Sequence, residues 1–428
     1  MSLSTSSLSD LQVLSISAAW DAVSQWKSAY VVPAAVVGYV ALCRMLRFRG
    51  EKALRRRLGY PEGCSRDKLA KMTNDEAQII IKYLMSVEFP EFHLLSLQFG
   101  LFKTYGVESI SRLLLATGNL TDPIKSKKRY EDTAALIGEF MLNPPSSTRT
   151  LNAIARMNFL HRKYRDEGTI TNADLLYTLS VFVTEPPRFA REYEWRAMNE
   201  MEVCAYGVFW KAVGDAMEIE YKGYLSKSEW RDGIEFFEDI SAWAKAYEIN
   251  QMKPSVTAHK PARALIPMIT YWVPWFMKGF TEEMVCVLMG ERVREAFMLP
   301  VPSVTAAAVV YPAIQLRRLY LRYLSLPRFI EVKRLGATDP KTGRMHSRFA
   351  YGNHPYYITP TLWNRWGPKA WAIWLYGGDV PGDNPEEHMP QGYLWIDLGP
   401  KNRMGLGGDE MTVDIKRMEA QRRGGCPF

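Results

Sequence analysis

An uncharged run from Ser28 to Cys43, rich in valine and alanine, is followed at once by Arg44, Arg47, Arg49, Lys52, Arg55, Arg56 and Arg57, opposed only by Glu51. This pairing limits what the chain can become more than any other feature. An apolar run must leave water, either into a protein core or into lipid. The run is shorter than the ~20 residues of a typical spanning helix. Trp26 and Tyr30 at one edge and a snorkelling Arg44 at the other extend its reach. The alternatives are a core helix and a cleaved signal peptide. A signal peptide carries its positive charge before the apolar run, whereas here Asp10, Asp21 and only Lys27 precede it. The expectation is one transmembrane anchor over 28–46. Residues 1–27 then form a short lumenal amino terminus and 47–68 a basic juxtamembrane linker against anionic lipid. The positive-inside rule leaves the remainder, 69–428, in the cytosol.

The basic cluster also decides how the net charge of +8 is read. Much of the excess sits beside the anchor, so it points to membrane lipid as a partner and not to nucleic acid. The five cysteines, Cys43, Cys64, Cys204, Cys286 and Cys426, are scattered and odd in number, with no CxxC pair. A disulfide framework, a structural zinc site and a c-type haem attachment are therefore not expected. Neither GxGxxG, a P-loop, HExxH nor GxSxG occurs, and no cysteine sits in the loop expected of a thiolate-ligated haem enzyme.

Beyond Leu69 the pattern is helical. Thr73-Asn74-Asp75-Glu76 and Thr171-Asn172-Ala173-Asp174 are helix starts, the first a capping box, and Ser147 or Thr148 can cap a third helix. Breaks are expected at Glu88-Phe89-Pro90, Gly118, Asn143-Pro144-Pro145 and Pro186-Pro187. No alternating run is long enough to build a sheet, so the fold class is all-α: one globular helical domain behind one transmembrane helix. Leu335 to Asn353 reads as a loop. Ala264 to Met277 and Leu299 to Leu316 read as buried core helices, with a membrane-facing wall as the alternative. Trp363, Trp366, Trp371 and Trp374 fit a core face or an interfacial belt equally well.

Histidine is scarce, and of His93, His161, His259, His346, His354 and His388 only His161 lies centrally in a strongly patterned helix. Its face carries Leu151, Ile154 and Asn158, which suits a core histidine as well as a metal ligand. On the preceding helix Arg129, Asp132 and Thr133 stand at i, i+3 and i+4, above Leu136 and Phe140. This pattern fits a surface ion pair, or polar groups at the mouth of a dry pocket.

Several segments occur in a telling order: Glu88-Phe89-Pro90, Phe102-Lys103-Thr104-Tyr105-Gly106, Lys128-Arg129-Tyr130-Glu131-Asp132-Thr133, Arg156-Met157-Asn158-Phe159-Leu160-His161, Asp174-Leu175-Leu176-Tyr177-Thr178-Leu179, Glu194-Trp195-Arg196, Trp363-Asn364-Arg365-Trp366-Gly367-Pro368 and Cys426-Pro427-Phe428. Together they resemble the fungal endoplasmic-reticulum-bound oxygenases of mycophenolic acid biosynthesis, a family related to the latex clearing proteins. The resemblance covers nearly the whole chain. It implies haem b as cofactor, dioxygen as co-substrate and a lipophilic prenylated small molecule as substrate. It also implies a single-pass endoplasmic reticulum protein with a cytosolic catalytic domain and no obligatory protein partner.

By the same resemblance His161 matches the axial ligand of the latex enzymes. Where those enzymes carry Arg three residues before that histidine, this chain has Asn158, with Arg156 and Arg165 nearby, so these three are candidates for orienting the imidazole or meeting the haem propionates. The distal Arg-x-x-Lys-Thr pattern is matched by Arg129 and Thr133 but has Asp132 in place of Lys, an acceptor for a donor. The implied roles are proton relay for Asp132, a hydrogen bond to oxygen for Thr133, and a propionate or Asp132 contact for Arg129. A haem-dependent hydroxylase or coupling enzyme, and a non-catalytic lipid- or haem-binding protein, are the other readings.

Overall fold

A computed structural model describes residues 28–118, 123–270, 273–349, 354–421 and 424–428. The expected lumenal terminus, 1–27, lies outside the described residues, as does the 350–353 end of the expected loop. Within them the chain is helical, and extended pairing is limited to the isolated bridges Leu335–Ser347 and Met345–Tyr393.

Helix α1 (Ser28–Arg47) is the apolar run. It leads almost directly into α2 (Arg49–Leu58), so the basic stretch is a docked helix where a linker was expected. Arg47 stacks on Trp195, 4.1 Å from the ring centroid, and Asn199 donates to the buried Glu51. Most of α1 touches no protein: Tyr30, Val32, Val37 and Met45 are exposed. It docks on a π-helical turn, Tyr320–Leu324, where the Tyr39 hydroxyl donates to the Leu324 carbonyl at 3.0 Å.

The globular part follows the capping signals closely. Thr73 opens α3 (Asn74–Tyr83) with a reciprocal capping box to Glu76. Leu84–Glu88 then widens into a π turn before Pro90 starts α4 (Pro90–Thr104). Next come α5 (Glu108–Thr117), stopped by Gly118 in the left-handed region, and α6 (Pro123–Leu142). Ser147 caps α7 (Thr148–Asp166), and Thr171 caps α8 (Asn172–Tyr193). They are followed by α9 (Glu200–Ala216), α10 (Gly233–Gln251), α11 (Val256–Ile269), α12 (Lys278–Met289), α13 (Val304–Leu319) and α14 (Gly408–Ala420).

Helix α8 is the central rod. It packs along α4 and also against α9 and α10. Its Leu176, Tyr177, Val183 and Phe189 are almost wholly buried, and each such side chain contributes about 1.5–3 kcal/mol. The expected stop at Pro186-Pro187 does not occur, because α8 runs through both prolines to Tyr193. Both prolines are buried in the packed interior, so tertiary contact outweighs the lost backbone bonds. Helices α9 and α10 meet at Gly207 and Gly233, where a Cβ on either would collide with backbone of the other helix. Only glycine allows that crossing.

The two late apolar stretches depart from the expected core placement. In the first, Leu265 and Ile266 are buried, but Trp275 is 85% exposed. In the second, Ala306, Val310 and Ile314 pack inward while Val304 is 86% exposed. The core reading of the tryptophans fails as well, since Trp363, Trp366, Trp371 and Trp374 are all more than half exposed. Apolar composition shows what avoids water; it does not show whether protein supplies the replacement.

Candidate functional site

Helices α4 to α8 surround an apolar cavity of about 180 Å³. Leu101 comes from α4, Ile110, Leu113 and Leu114 from α5, Leu160 from α7 and Leu175 from α8. Arg129 and Thr133 enter from α6, His161 and Tyr164 from α7, and Arg403 from the carboxy-terminal stretch. Three sequence candidates, Arg129, Thr133 and His161, are thus brought together.

His161 stands where the buried face of α7 leaves the core. Leu151, Ile154 and Asn158 on that face are buried, and the imidazole one turn later meets open space. Its Nδ1 is buried without a hydrogen-bond partner. Among the described residues no acceptor reaches that nitrogen. Burial, reinforced by the charges of Arg129 and Arg165, holds its pKa down to about 4. At neutral pH the ring is therefore uncharged, the form that binds a metal.

Arg129 donates to the Thr133 hydroxyl at 3.1 Å, and that hydroxyl donates to the Arg129 carbonyl at 2.8 Å. Among the described residues the remaining guanidinium donors of Arg129 have no hydrogen-bond partner, and they can meet an anion. Arg403 lies 4.7 Å from the Phe159 ring centroid and offers a second guanidinium at the same cavity.

Asp132 does not join this group. Its carboxylate accepts from Lys128 at 2.7 Å, from the Gly399 amide at 2.9 Å and from the Tyr357 hydroxyl. Positions i+3 and i+4 fall on opposite sides of i, about 100° apart. Thr133 takes the cavity side and Asp132 the packed side. Burial raises the Asp132 pKa, while Lys128, Tyr357 and Gly399 oppose the rise.

Arg156, Asn158 and Arg165 are also elsewhere. The fully buried Arg156 donates to the carbonyls of Leu398, Leu406, Ile396 and Arg403, and so clamps the carboxy-terminal stretch onto α7. Asn158 donates to Ala216, and Arg165 donates to Met217 and Glu218, which satisfies the carbonyls at the end of α9. These three side chains build the wall behind His161, each holding backbone carbonyls. His93, buried like His354 and His388, bonds Tyr206 through Nε2 in a tightly filled interior.

A second cavity, about 100 Å³, lies on the far side of Leu101, Tyr130 and Thr133, which line both. It contains a residue the sequence reading missed, Glu131. Its carboxylate accepts from the His354 amide at 3.2 Å, and burial pushes its pKa up to about 8. The available signal was two adjacent acids, Glu131 and Asp132, running straight into the apolar segment Ala134-Ala135-Leu136-Ile137.

Residues 112–322 match the family model described as the catalytic domain of ER-bound oxygenase mpaB/B' and rubber oxygenase. The chain is 39% identical over 396 residues to ER-bound oxygenase mpaB' of Penicillium brevicompactum, covering 92% of this chain and 93% of the relative. It is 37% identical over 395 residues to ER-bound oxygenase mpaB of the same fungus, 92% of each chain. The mpaB protein of Penicillium roqueforti (strain FM164) is 37% identical over 282 residues, 66% of this chain and 93% of the relative.

Proposed function

Given that the chain belongs to the family of ER-bound mpaB/B' oxygenases and rubber oxygenases, we propose that it is a membrane-bound, haem-dependent oxygenase. Its reaction is the cleavage by dioxygen of a double bond in the prenyl side chain of a lipophilic intermediate. The observation that carries this reading is His161: a half-buried, uncharged imidazole whose buried Nδ1 has no partner among the described residues, facing an apolar cavity flanked by two guanidiniums.

The donor set suits haem b. Among the described residues no three His, Cys, Asp or Glu side chains converge as ligands for a bare ion. A lone imidazole suits an iron whose other positions are filled by a macrocycle. His161 would hold the haem iron, and Arg129 and Arg403 would meet the propionates. Each cavity is smaller than the ~300–1,000 Å³ of typical cofactor sites. The two cavities share the wall of Leu101, Tyr130 and Thr133, in which the Gln98 amide donates to the Tyr130 hydroxyl.

Bound there, haem would supply the redox-active iron for dioxygen chemistry. The chain's own residues do the rest. Leu113, Leu114, Ile110 and Leu175 exclude water and accept an apolar prenyl chain. Thr133 presents a hydroxyl at the shared wall, and Glu131, protonated at neutral pH, can donate a proton in the second cavity. A carboxyl with a pKa near the working pH is well matched to such transfer. The anchor keeps the enzyme where a lipophilic substrate accumulates, in the endoplasmic reticulum membrane with the catalytic domain cytosolic.

The test is isotope incorporation. Cleavage of an alkene by dioxygen gives two carbonyls, one oxygen atom on each fragment. Full-length protein turning over a prenylated aromatic under labelled dioxygen should yield both fragments labelled, read by mass spectrometry before exchange with water. A single hydroxylated product of unbroken chain length would overturn the cleavage reaction and leave a hydroxylase.

A further inference from the structure

Where α1 enters the globular domain, a cleft of about 440 Å³ opens between the base of the apolar helix and residues 325–331. Arg47 lines it. This side chain is only 8% exposed, its Nε is buried without a partner, and among the described residues it makes no hydrogen bond or ion pair. Its guanidinium rests on the Trp195 ring, which holds it in place but does not neutralise it. The acids nearest to it are committed: Glu88 accepts from Arg196 at 2.9 Å, and Glu194 accepts from Arg317 at 3.0 Å. At the mouth stand the exposed Arg49 and Arg328, with Glu331 the one uncommitted acid among the lining residues.

The other side of the cleft is apolar. Leu321, Leu326 and Phe329 line it, and Phe329 and Ile330 are largely exposed. That surface continues onto the π turn that holds α1 through Tyr39 and Leu324. A buried guanidinium with no hydrogen-bonded partner is costly, and a cation beside an apolar track leading along a membrane helix fits an amphiphile with an anionic head.

We propose that this cleft binds one phospholipid with a net anionic headgroup, its phosphate held by Arg47 with Arg328 and Arg49 at the rim, and its acyl chains lying along α1 and the Tyr320–Leu324 turn. The inference rests on α1 being inserted in the bilayer. The headgroup then fixes the depth and tilt of the catalytic domain relative to the membrane. Charge-assisted hydrogen bonds to a half-dry guanidinium give the site selectivity beyond the general attraction of the basic helix α2.

The experiment uses the full-length chain in non-ionic micelles, titrated separately with dioctanoyl phosphatidylserine, dioctanoyl phosphatidylcholine and inorganic phosphate, with bound ligand counted by native mass spectrometry. One phosphatidylserine per chain should be retained saturably, and the other two should not. Arg47→Gln should weaken retention by about tenfold or more, and Arg328→Gln by less. Arg56→Gln, on the adjoining basic helix α2 but outside the cleft, should change nothing. Equal retention of phosphatidylcholine would overturn anion selectivity, and retention of inorganic phosphate alone would overturn the lipid. Equal losses in Arg47→Gln and Arg56→Gln would mean diffuse attraction. Circular dichroism checks each variant. If Arg47→Gln does not fold, unchanged affinity in the exposed Arg328→Gln variant overturns the site. Carbonate extraction of membranes reads the anchor separately: release of the protein would remove the spanning helix whatever the micelle titration shows.

Discussion

Helix α6 has two polar faces, and the fold treats them in opposite ways. On one, Lys128 and Asp132 are buried, paired with each other and sealed by Tyr357 and the backbone of Asp397 and Gly399. On the other, Arg129 and Thr133 are half-buried, bonded to each other and open to the His161 cavity. Each face carries a cation and a polar partner four residues on. What differs is the cover: the carboxy-terminal stretch, clamped by Arg156, closes the first face and leaves the second open. A polar pair on a helix is structural or chemical according to what packs over it.

The largest expected effect breaks the sealed face. Asp132→Asn leaves the Lys128 ammonium buried without its counter-charge, which should cost about 3–5 kcal/mol in urea unfolding. Thr133→Val removes a hydroxyl bonded within its own helix turn and should cost less than ~1 kcal/mol. Equal losses would erase the distinction between the faces.

Next in size is a pH effect from the residue between them. The folded chain keeps the Glu131 proton up to about pH 8, whereas an ordinary glutamate loses it near 4.5. Between those values the folded state binds more protons, so stability falls as pH rises, by up to a few kcal/mol. His161 has the opposite sign. It stays neutral down to about pH 4 against an ordinary 6.5, so stability falls as pH drops through that window. Melting temperature should peak between the two limbs, and Glu131→Gln should flatten the alkaline limb alone. An unchanged alkaline limb in that variant would place Glu131 among ordinary ionised carboxylates.

The smallest expected effect sharpens the open face. Thr133→Val should lower turnover by roughly 2- to 10-fold, the worth of one hydrogen bond at the reacting centre. Lys127→Gln, a partly exposed side chain one residue before the sealed pair, serves as the control. A loss in the control as large as in Thr133→Val would remove the special place given to the cavity side.

The parts of this structure legible in the sequence were the local ones. Capping at Thr73, Ser147 and Thr171 depends on side chains within three residues, and all three helices begin there. His161 stood out because histidine is scarce and its helix is strongly patterned. Non-local packing was less accessible. Whether Asp132 or Thr133 faces the cavity depends on Gly399 and Tyr357, more than two hundred residues away. Arg156 was a candidate for a ligand pocket, yet its partners lie between Ile396 and Leu406. Pro186 and Pro187 signal a stop that only the packing of α8 overrides. Val304–Leu319 has a composition that core and lipid accept equally, so its exposed face is visible only in three dimensions.

The central claim is that His161 is the axial ligand of a haem, and it is tested by one optical spectrum. Full-length protein purified from haem-supplied cells should show a Soret band. His161→Ala should lose most of it while its far-ultraviolet circular dichroism stays that of the parent, since the buried Nδ1 of the imidazole has no hydrogen-bond partner among the described residues. A folded His161→Ala protein with the parent's Soret band would contradict the assignment, and a parent without the band would contradict haem dependence itself.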